Sequence, residues 1–386
     1  MIRINDKSLC SGCAACADAC PVGCISMRRD EEGFEYPAVD ESVCISCGKC
    51  IDTCPYHSSE RFPRDCDTYA ARSADDCVSS SSGGVFPIVA ADFISEGGIV
   101  FGAVLNDDLM VVHEVAEDMA AVRRMISSKY VQSDLKTIFR QVGSYLEAGR
   151  KVLFTGTPCQ VAGLIGFLAG PHENLLTIDF ACHGVPSPGL WKRYVRALEK
   201  HYGEKIDNVV FRDKVSGWRH YSFTCITESG RRLSVPYMKD PYMALFAQNM
   251  TLRPSCQSCP FRDSGSGSDI RLSDLWSVEK AAPMFNDDKG VSGIEVFTDK
   301  GSRALANVSS GLVMSRVERG LAEADNSGFV GSFPLPRRRT EFFRGISAAP
   351  DIVGYMESYV QTRPLHQTVW RKVRSVLSGI KRRVIK

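Results

Sequence analysis

The sequence predicts a chain of α+β / α/β class: a small cysteine-rich domain followed by a larger mixed-sheet α/β domain. Three observations carry that expectation. Nine of the 16 cysteines fall in the first 54 of 386 residues. They form an internal repeat in which Cys10 matches Cys44 and each later ligand follows at the same offset. Residues 151–180 then read as strand, turn, helix and strand, the unit of a parallel, right-handed βαβ arrangement.

The composition is that of a folded globular chain, with 44% hydrophobic and 24% charged residues and a net charge of +2. The apolar runs near Gly97–Leu105 and Val161–Gly170 fall short of the roughly 18–20 residues a membrane span needs. The N-terminus lacks an apolar signal segment, so a cytoplasmic protein is expected. Without export, clustered cysteines read as metal or redox ligands rather than disulfides. A charge this near zero gives no argument for nucleic-acid binding.

The first element, residues 1–60, carries Cys10-x2-Cys13-x2-Cys16-x3-Cys20-Pro21 and again Cys44-x2-Cys47-x2-Cys50-x3-Cys54-Pro55. Each run has the spacing of a bacterial-type [4Fe-4S] motif, in which the fourth cysteine serves the other cluster. Cys10, Cys13, Cys16 and Cys54 are therefore assigned to one cluster, and Cys44, Cys47, Cys50 and Cys20 to the second. Gly12 and Gly48 allow the backbone to approach the sulfurs closely, and the prolines turn the chain away. Ile25–Met27 and Phe34–Tyr36 alternate around Asp30-Glu-Glu-Gly33, which predicts a hairpin with an apolar face over the clusters. Paired zinc sites are the alternative for CxxC units. The block resembles a two-cluster bacterial ferredoxin over residues 5–57.

Residues 61–78 are polar and expected as a linker. Cys24, Cys66, Cys77 and Cys225 lack partner spacing and read as ordinary thiols. Cys225 alternates with Tyr221 and Phe223, which places it on the core side of a strand.

In the second domain, Ser79–Gly84 precedes an apolar helix over Val85–Ile94, and Ile99–Leu105 follows as a strand. A Ser/Gly loop opening a helix suits an anion. Ser133 is placed to cap a helix through Leu146. Lys151–Phe154 and Leu175–Phe180 are buried strands flanking a helix over Val161–Leu168. Cys159 and Cys182 each lie just past the C-terminal end of one of these strands. Parallel pairing puts both at the edge where open α/β sheets bind ligands. Cys256 and Cys259 form an isolated CxxC, so four thiols are available for a third cluster or a zinc ion.

Over residues 79–277 the chain resembles the coenzyme F420 hydrogenase/dehydrogenase beta-subunit family. The matching pieces are Ser82–Phe86, Ser128–Ser133, Phe154–Gln160, Asp179–Pro188, Phe211–Lys214 with Gly217-Trp218, and Cys256/Cys259 before Asp269-Ile270. The resemblance implies a flavin-binding domain, with residues 79–175 and 176–345 as its two parts. It implies FAD joined to [4Fe-4S] clusters, with Cys159, Cys182, Cys256 and Cys259 ligating a third. It further implies flavin contacts from Ser82, Gly83, Gly84, Ser128, Lys129, Tyr130, Thr155, Gly156 and Thr157. Lys129 suits an anionic reduced flavin. Many bacterial relatives accompany polysaccharide-assembly proteins. One departure stands out: Ser273 occupies a position where the family usually has glycine, which strains the chain if φ there is positive. His183, after a proposed ligand, reads either as a proton shuttle or as a loop tether.

Residues 280–345 read as mixed α/β, with Gly293–Phe297 a strand and Arg303–Val308 helical. The tail, 346–386, ends in a basic amphipathic stretch suited to docking or to peripheral contact with an anionic membrane. The function expected is an iron–sulfur flavoprotein oxidoreductase linking a two-electron donor to a one-electron redox partner. A non-catalytic electron carrier or assembly subunit is the alternative.

Overall fold

The fold was analysed in a computed structural model that describes residues 1–57, 65–75, 80–170, 172–263, 265–324, 326 and 334–361. Cys77, Ser79 and the basic stretch 362–386 lie outside the described residues.

The N-terminal block holds one antiparallel hairpin, β1 (Ile25–Arg29) and β2 (Glu35–Val39), with Met27 opposite Pro37. Asp30 shapes its turn by accepting from the Glu32 and Phe34 amides. The expected apolar face proves to be two faces, because strand side chains alternate. Ile25, Met27, Pro37 and Val39 line the cysteine cavities. Phe34 and Tyr36 point the other way and join a core cluster with Leu109, Trp191 and Phe342 of the α/β domain. The hairpin is thus packed on both sides.

The α/β domain is built on an eight-stranded sheet. Its strands are β3 (Asp67–Ser73), β4 (Ile99–Leu105), β5 (Val111–Ala116), β6 (Val152–Thr155) and β7 (Leu175–Phe180). A separate three-stranded antiparallel sheet follows, β8 (Ile206–Asp213), β9 (Ser222–Thr227) and β10 (Arg232–Pro236), with Cys225 buried in β9 as expected. The large sheet is completed by β11 (Ile270–Asp274), β12 (Ser292–Val296) and β13 (Leu312–Arg316). The order is β13-β3-β12-β11-β7-β6-β4-β5. Pairs β4/β6, β6/β7 and β7/β11 are parallel, and the outer pairs are antiparallel. This is the mixed sheet the sequence predicts.

Two local expectations are corrected. The stretch 61–78, read as linker, contains β3, which pairs on both sides with β12 and β13. Its alternation of apolar Ala70, Ala71 and Tyr69 is short and sits among charges, so composition hid it. Ser133 does not cap the helix Ile138–Glu147, whose N-cap is Thr137; its hydroxyl is bound to His113 and Gln160.

The two domains are closely joined. The helix Pro158–Leu168 presents glycines to the N-terminal block. A Cβ on Gly163 would lie 2.9 Å from the Cys13 sulfur, and one on Gly166 2.5 Å from the Thr53 carbonyl oxygen. Arg339 grips Glu32 with two hydrogen bonds of 2.7 and 2.6 Å. The buried Asp18 carboxylate accepts from the Arg140 amide. Among the described residues no helix is long and apolar enough to cross a membrane.

Candidate iron–sulfur and cofactor sites

The eight repeat cysteines separate into two cavities along the predicted crossed assignment. One is lined by Cys10, Cys13, Cys16 and Cys54. The other is lined by Cys20, Cys44, Cys47 and Cys50, with Cys47 exposed. The loops that wrap them use left-handed backbone at two equivalent positions each. Gly12 and Ala14 do so in the first repeat, Ser46 and Gly48 in the second. The turn therefore belongs to the loop geometry and not to glycine alone. Gly12 is needed for space as well, since a Cβ there would stand 2.7 Å from an Arg253 nitrogen. Cys24, given no role by spacing, has its sulfur 3.5 Å from that of Cys20 and lines the second cavity. Cys66 lies elsewhere, beside Thr68 and Glu295.

Cys159, Cys182, Cys256 and Cys259 line a third cavity together. The parallel β6/β7 pair delivers the first two at its C-terminal edge, and the 3-10 turn Pro254–Ser258 brings the CxxC. Burial pushes the Cys256 thiol up to about 11 and Cys259 up to about 12, and the neighbouring thiols add to the shift. Four thiolates in this enclosure require the positive charge of a metal core. The Ser11 and Tyr56 hydroxyls, both buried and without a hydrogen-bond partner, line the same cavity. They are available to donate to cluster sulfides, so the donor set fits a [4Fe-4S] group. Among the described residues no three His, Cys, Asp or Glu side chains converge on a single metal ion. A cubane spreads its ligands over separate irons and does not need that convergence. Beneath the cavity, Arg271 of β11 forms a two-bond ion pair with its cross-strand neighbour Asp179 at 2.8 and 2.9 Å.

Arg253 joins the third cavity to the first. It is fully buried, donates to the Cys10 and Glu35 carbonyls at 2.7 and 2.8 Å and to Gln132, and stacks over Tyr36. One of its nitrogens also lies 3.8 Å from the Cys10 sulfur.

A large cleft of about 1470 Å³ opens beside the sheet. Ser82, Gly83, Ser128, Lys129, Arg212 and Lys214 are on its wall. The guanidinium of Arg212 is held by Asp274 at 2.6 Å and lies over the rings of Tyr221 and Trp276.

Two family models match the chain. Residues 9–58 match a 4Fe-4S dicluster domain, and residues 149–318 match the C-terminal region of the coenzyme F420 hydrogenase/dehydrogenase beta subunit. The chain belongs to the coenzyme F420 hydrogenase/dehydrogenase beta-subunit family. Its N-terminus adds the dicluster domain, making it an iron–sulfur electron-transfer protein of this oxidoreductase type. A chain in a xenon-derivatised structure of the F420-reducing [NiFe] hydrogenase complex from Methanosarcina barkeri is similar at 16% identity. That alignment covers 76% of this chain and 97% of the other, with a TM-score of 0.47. No curated protein matches the chain.

In this family member the remaining predicted flavin contacts are placed as follows. Gly84 is the left-handed N-cap of the helix Val85–Ser95. Tyr130 is buried behind the cleft wall, beside Arg212 and Ser128. The Thr155–Thr157 turn is engaged elsewhere: Thr155 donates to the Phe101 carbonyl, the Gly156 amide bonds Ile178, and the Thr157 hydroxyl lies 3.2 Å from the Cys159 sulfur. These three residues and Tyr130 are not on the wall of the cleft. Lys129 donates to the carbonyls of Met125, Ile126 and Ser127. Burial pushes it down to about 7, while those three acceptors favour its charged form. Ser273 is not strained: it is a β11 residue outside the left-handed region, and its side chain fills the space that Gly293 leaves on β12. His183 is buried beside the third cavity with its ring against Phe246.

A buried network missed by motif reading steadies the turn before Cys159. His113 bonds the Thr155 carbonyl through Nε2 at 3.0 Å and the Ser133 hydroxyl through Nδ1 at 2.9 Å. Ser133 accepts from Gln160, which in turn accepts from the Thr157 amide. Burial pushes His113 down to about 4. The unfolded chain binds this proton near pH 6.5, so the neutral-His contribution is complete above that pH. It is lost as pH falls toward 4, by about 3 kcal/mol. Guanidinium midpoints at pH 7.5 and 5.0 should therefore diverge in the wild type and less so in His113→Gln; equal divergence in both refutes the assignment.

Proposed function

We propose that this protein passes electrons between a two-electron donor bound near FAD in the cleft and a one-electron partner protein at the dicluster end. The order of centres would be third cluster, then the Cys10 cluster, then the Cys20 cluster. The observation that carries this reading is the position of the third thiol cavity. It shares Ser11 and Tyr56 with the first cluster cavity on one side. On the other, His183, Phe246 and Tyr130 form a line of ring contacts at 5.2 and 4.6 Å toward the cleft wall. At the outer end, Cys47 is exposed, and Val43 and Ile45 leave apolar side chains beside it at 47% and 60% exposure. That surface suits transient docking of a redox protein.

The residues present fit FAD by the chemistry of the cleft: cations on its wall, seryl hydroxyls, and the Arg212 guanidinium. Ser82, Gly83, Ser128 and Lys129 would hold it. FAD supplies the exchange between two-electron and one-electron chemistry. Lys129 and Lys214 keep the wall positive, and the ring line excludes water between the cleft and the thiols. A connection to polysaccharide assembly rests on the family resemblance alone.

The test is anaerobic purification followed by a donor screen. Iron near about twelve per chain with one FAD is expected. Reduced F420, NADH, NADPH and reduced ferredoxin are then offered in turn while flavin bleaching is followed. Full iron without flavin favours a non-catalytic electron carrier, and zinc without iron removes the proposal altogether.

A further inference from the structure

Arg212 is only 5% exposed, yet two of its nitrogens, Nε and Nη2, have no hydrogen-bond partner among the described residues. Its third nitrogen, Nη1, is occupied by Asp274. Nε–H and Nη2–H lie along one edge of the guanidinium and form the fork that takes two oxygens side by side. The same chain shows this fork in use, for Arg271 places Nε and Nη2 on the two oxygens of Asp179. A buried donor left unmade costs about 1–3 kcal/mol, more on a charged group. Two on one arginine are therefore a strong sign of a ligand. Arg212 is on the cleft wall.

The surroundings select for negative charge. Lys214 is on the same wall, fixed by the Ser82 and Lys289 carbonyls at 3.0 and 2.7 Å. The nearby acids are engaged: Asp274 holds Arg212 and accepts from the Trp218 indole, Asp213 pairs with Arg232, and Asp288 accepts from the Arg219 amide. With Lys214 charged, Arg212, Lys214 and Asp274 leave one net positive charge, which a monoanionic group neutralises. The flat guanidinium is clamped between Tyr221 and Trp276, and Trp276 stacks on Trp218 at 4.5 Å, so the fork is rigid.

We propose that the Nε/Nη2 edge of Arg212, with Lys214, is an oxyanion subsite of the cleft that grips a carboxylate or phosphate group of a bound cofactor or redox substrate. The assignment builds on the flavin reading above but is measured apart from it. Two sources share this chemistry, the diphosphate of the flavin and an acidic substituent of the donor.

The experiment uses the anaerobically purified full chain, as wild type, Arg212→Lys and Arg212→Met, with iron content as the check that each variant is folded. Equilibrium dialysis with labelled inorganic phosphate, pyrophosphate and acetate is run with and without saturating FAD. Arg212→Lys keeps the charge and loses the fork, so the affinity for the bound anion should fall at least tenfold. If pyrophosphate binding is abolished by FAD and the variants lose FAD affinity, the subsite holds the flavin diphosphate. If phosphate or acetate binds with FAD in place and the variants weaken only that, it holds the substrate's acid. Arginine-dependent anion binding in protein that takes up no FAD upholds the subsite and removes the flavin reading. Anion and FAD affinities equal in wild type and both variants, or no anion binding with FAD uptake unchanged, overturn the proposal.

Discussion

Cys182→Ser should lower the iron of anaerobically purified protein from about twelve to about eight per chain, while the dicluster block keeps its full complement. The four thiols of the third cavity come from three separate segments, and Cys182 is delivered at the end of β7. Serine matches the shape, so the sheet is retained, but its hydroxyl is a poor ligand for iron. The functional effect is expected to be larger than the iron count suggests. The third cavity is the place where the cleft side and the dicluster side meet, through Phe246 and through Tyr56. The Cys10 and Cys20 clusters should still be reduced by dithionite and give their electron paramagnetic signals. Their reduction by any two-electron donor should fall by about a hundredfold or more, equivalent to about 3 kcal/mol on the barrier. Twelve irons retained in the variant, or eight already present in the wild type, would refute the third cluster. Unchanged donor-linked reduction would refute the order of centres.

Arg253→Met should be the most destabilising single change at the interface between the two blocks. The side chain is wholly buried and satisfies two backbone carbonyls and Gln132 across that interface. Methionine fills much of the volume but leaves those acceptors dry, at about 1–3 kcal/mol each. A loss of about 4 kcal/mol is expected, read as a lower guanidinium midpoint and faster loss of cluster absorbance. The nitrogen near the Cys10 sulfur gives a second readout: without it the reduced Cys10 cluster loses a stabilising charge, and its potential should drop. Arg253→Lys should restore part of the potential, which depends on charge, and little of the stability, which depends on the fork. A variant with the wild-type midpoint would show that the two blocks do not rely on this contact.

Much of this architecture was legible in the residues. The crossed sharing of Cys20 and Cys54 follows from the repeat alone, and the cavities adopt it. The βαβ unit and the common edge of Cys159 and Cys182 follow from two apolar runs and the turn between them. Other features were not legible. β3 is short, lies among polar residues, and owes its place to pairing with β12 and β13 from more than two hundred residues away. The Thr155–Thr157 turn carries a motif that suggests a ligand, but its polar groups are bound to the sheet and to Cys159. Arg212 lay inside a family motif without a role, because nothing local tells a paired arginine from one with an open edge.

The sequence by itself determined the ligands that sit close along the chain, since two or three residues between cysteines leave a loop little choice but to wrap a common centre. It also determined which strands end at the ligand edge, because a parallel crossover has one favoured hand. Only the tertiary structure decided how the centres are joined and what surrounds them. Arg253 between the thiol cavities, the ring line toward the cleft and the open edge of Arg212 all depend on contacts between distant segments. Such contacts are set by packing and burial, and no spacing in the chain encodes them.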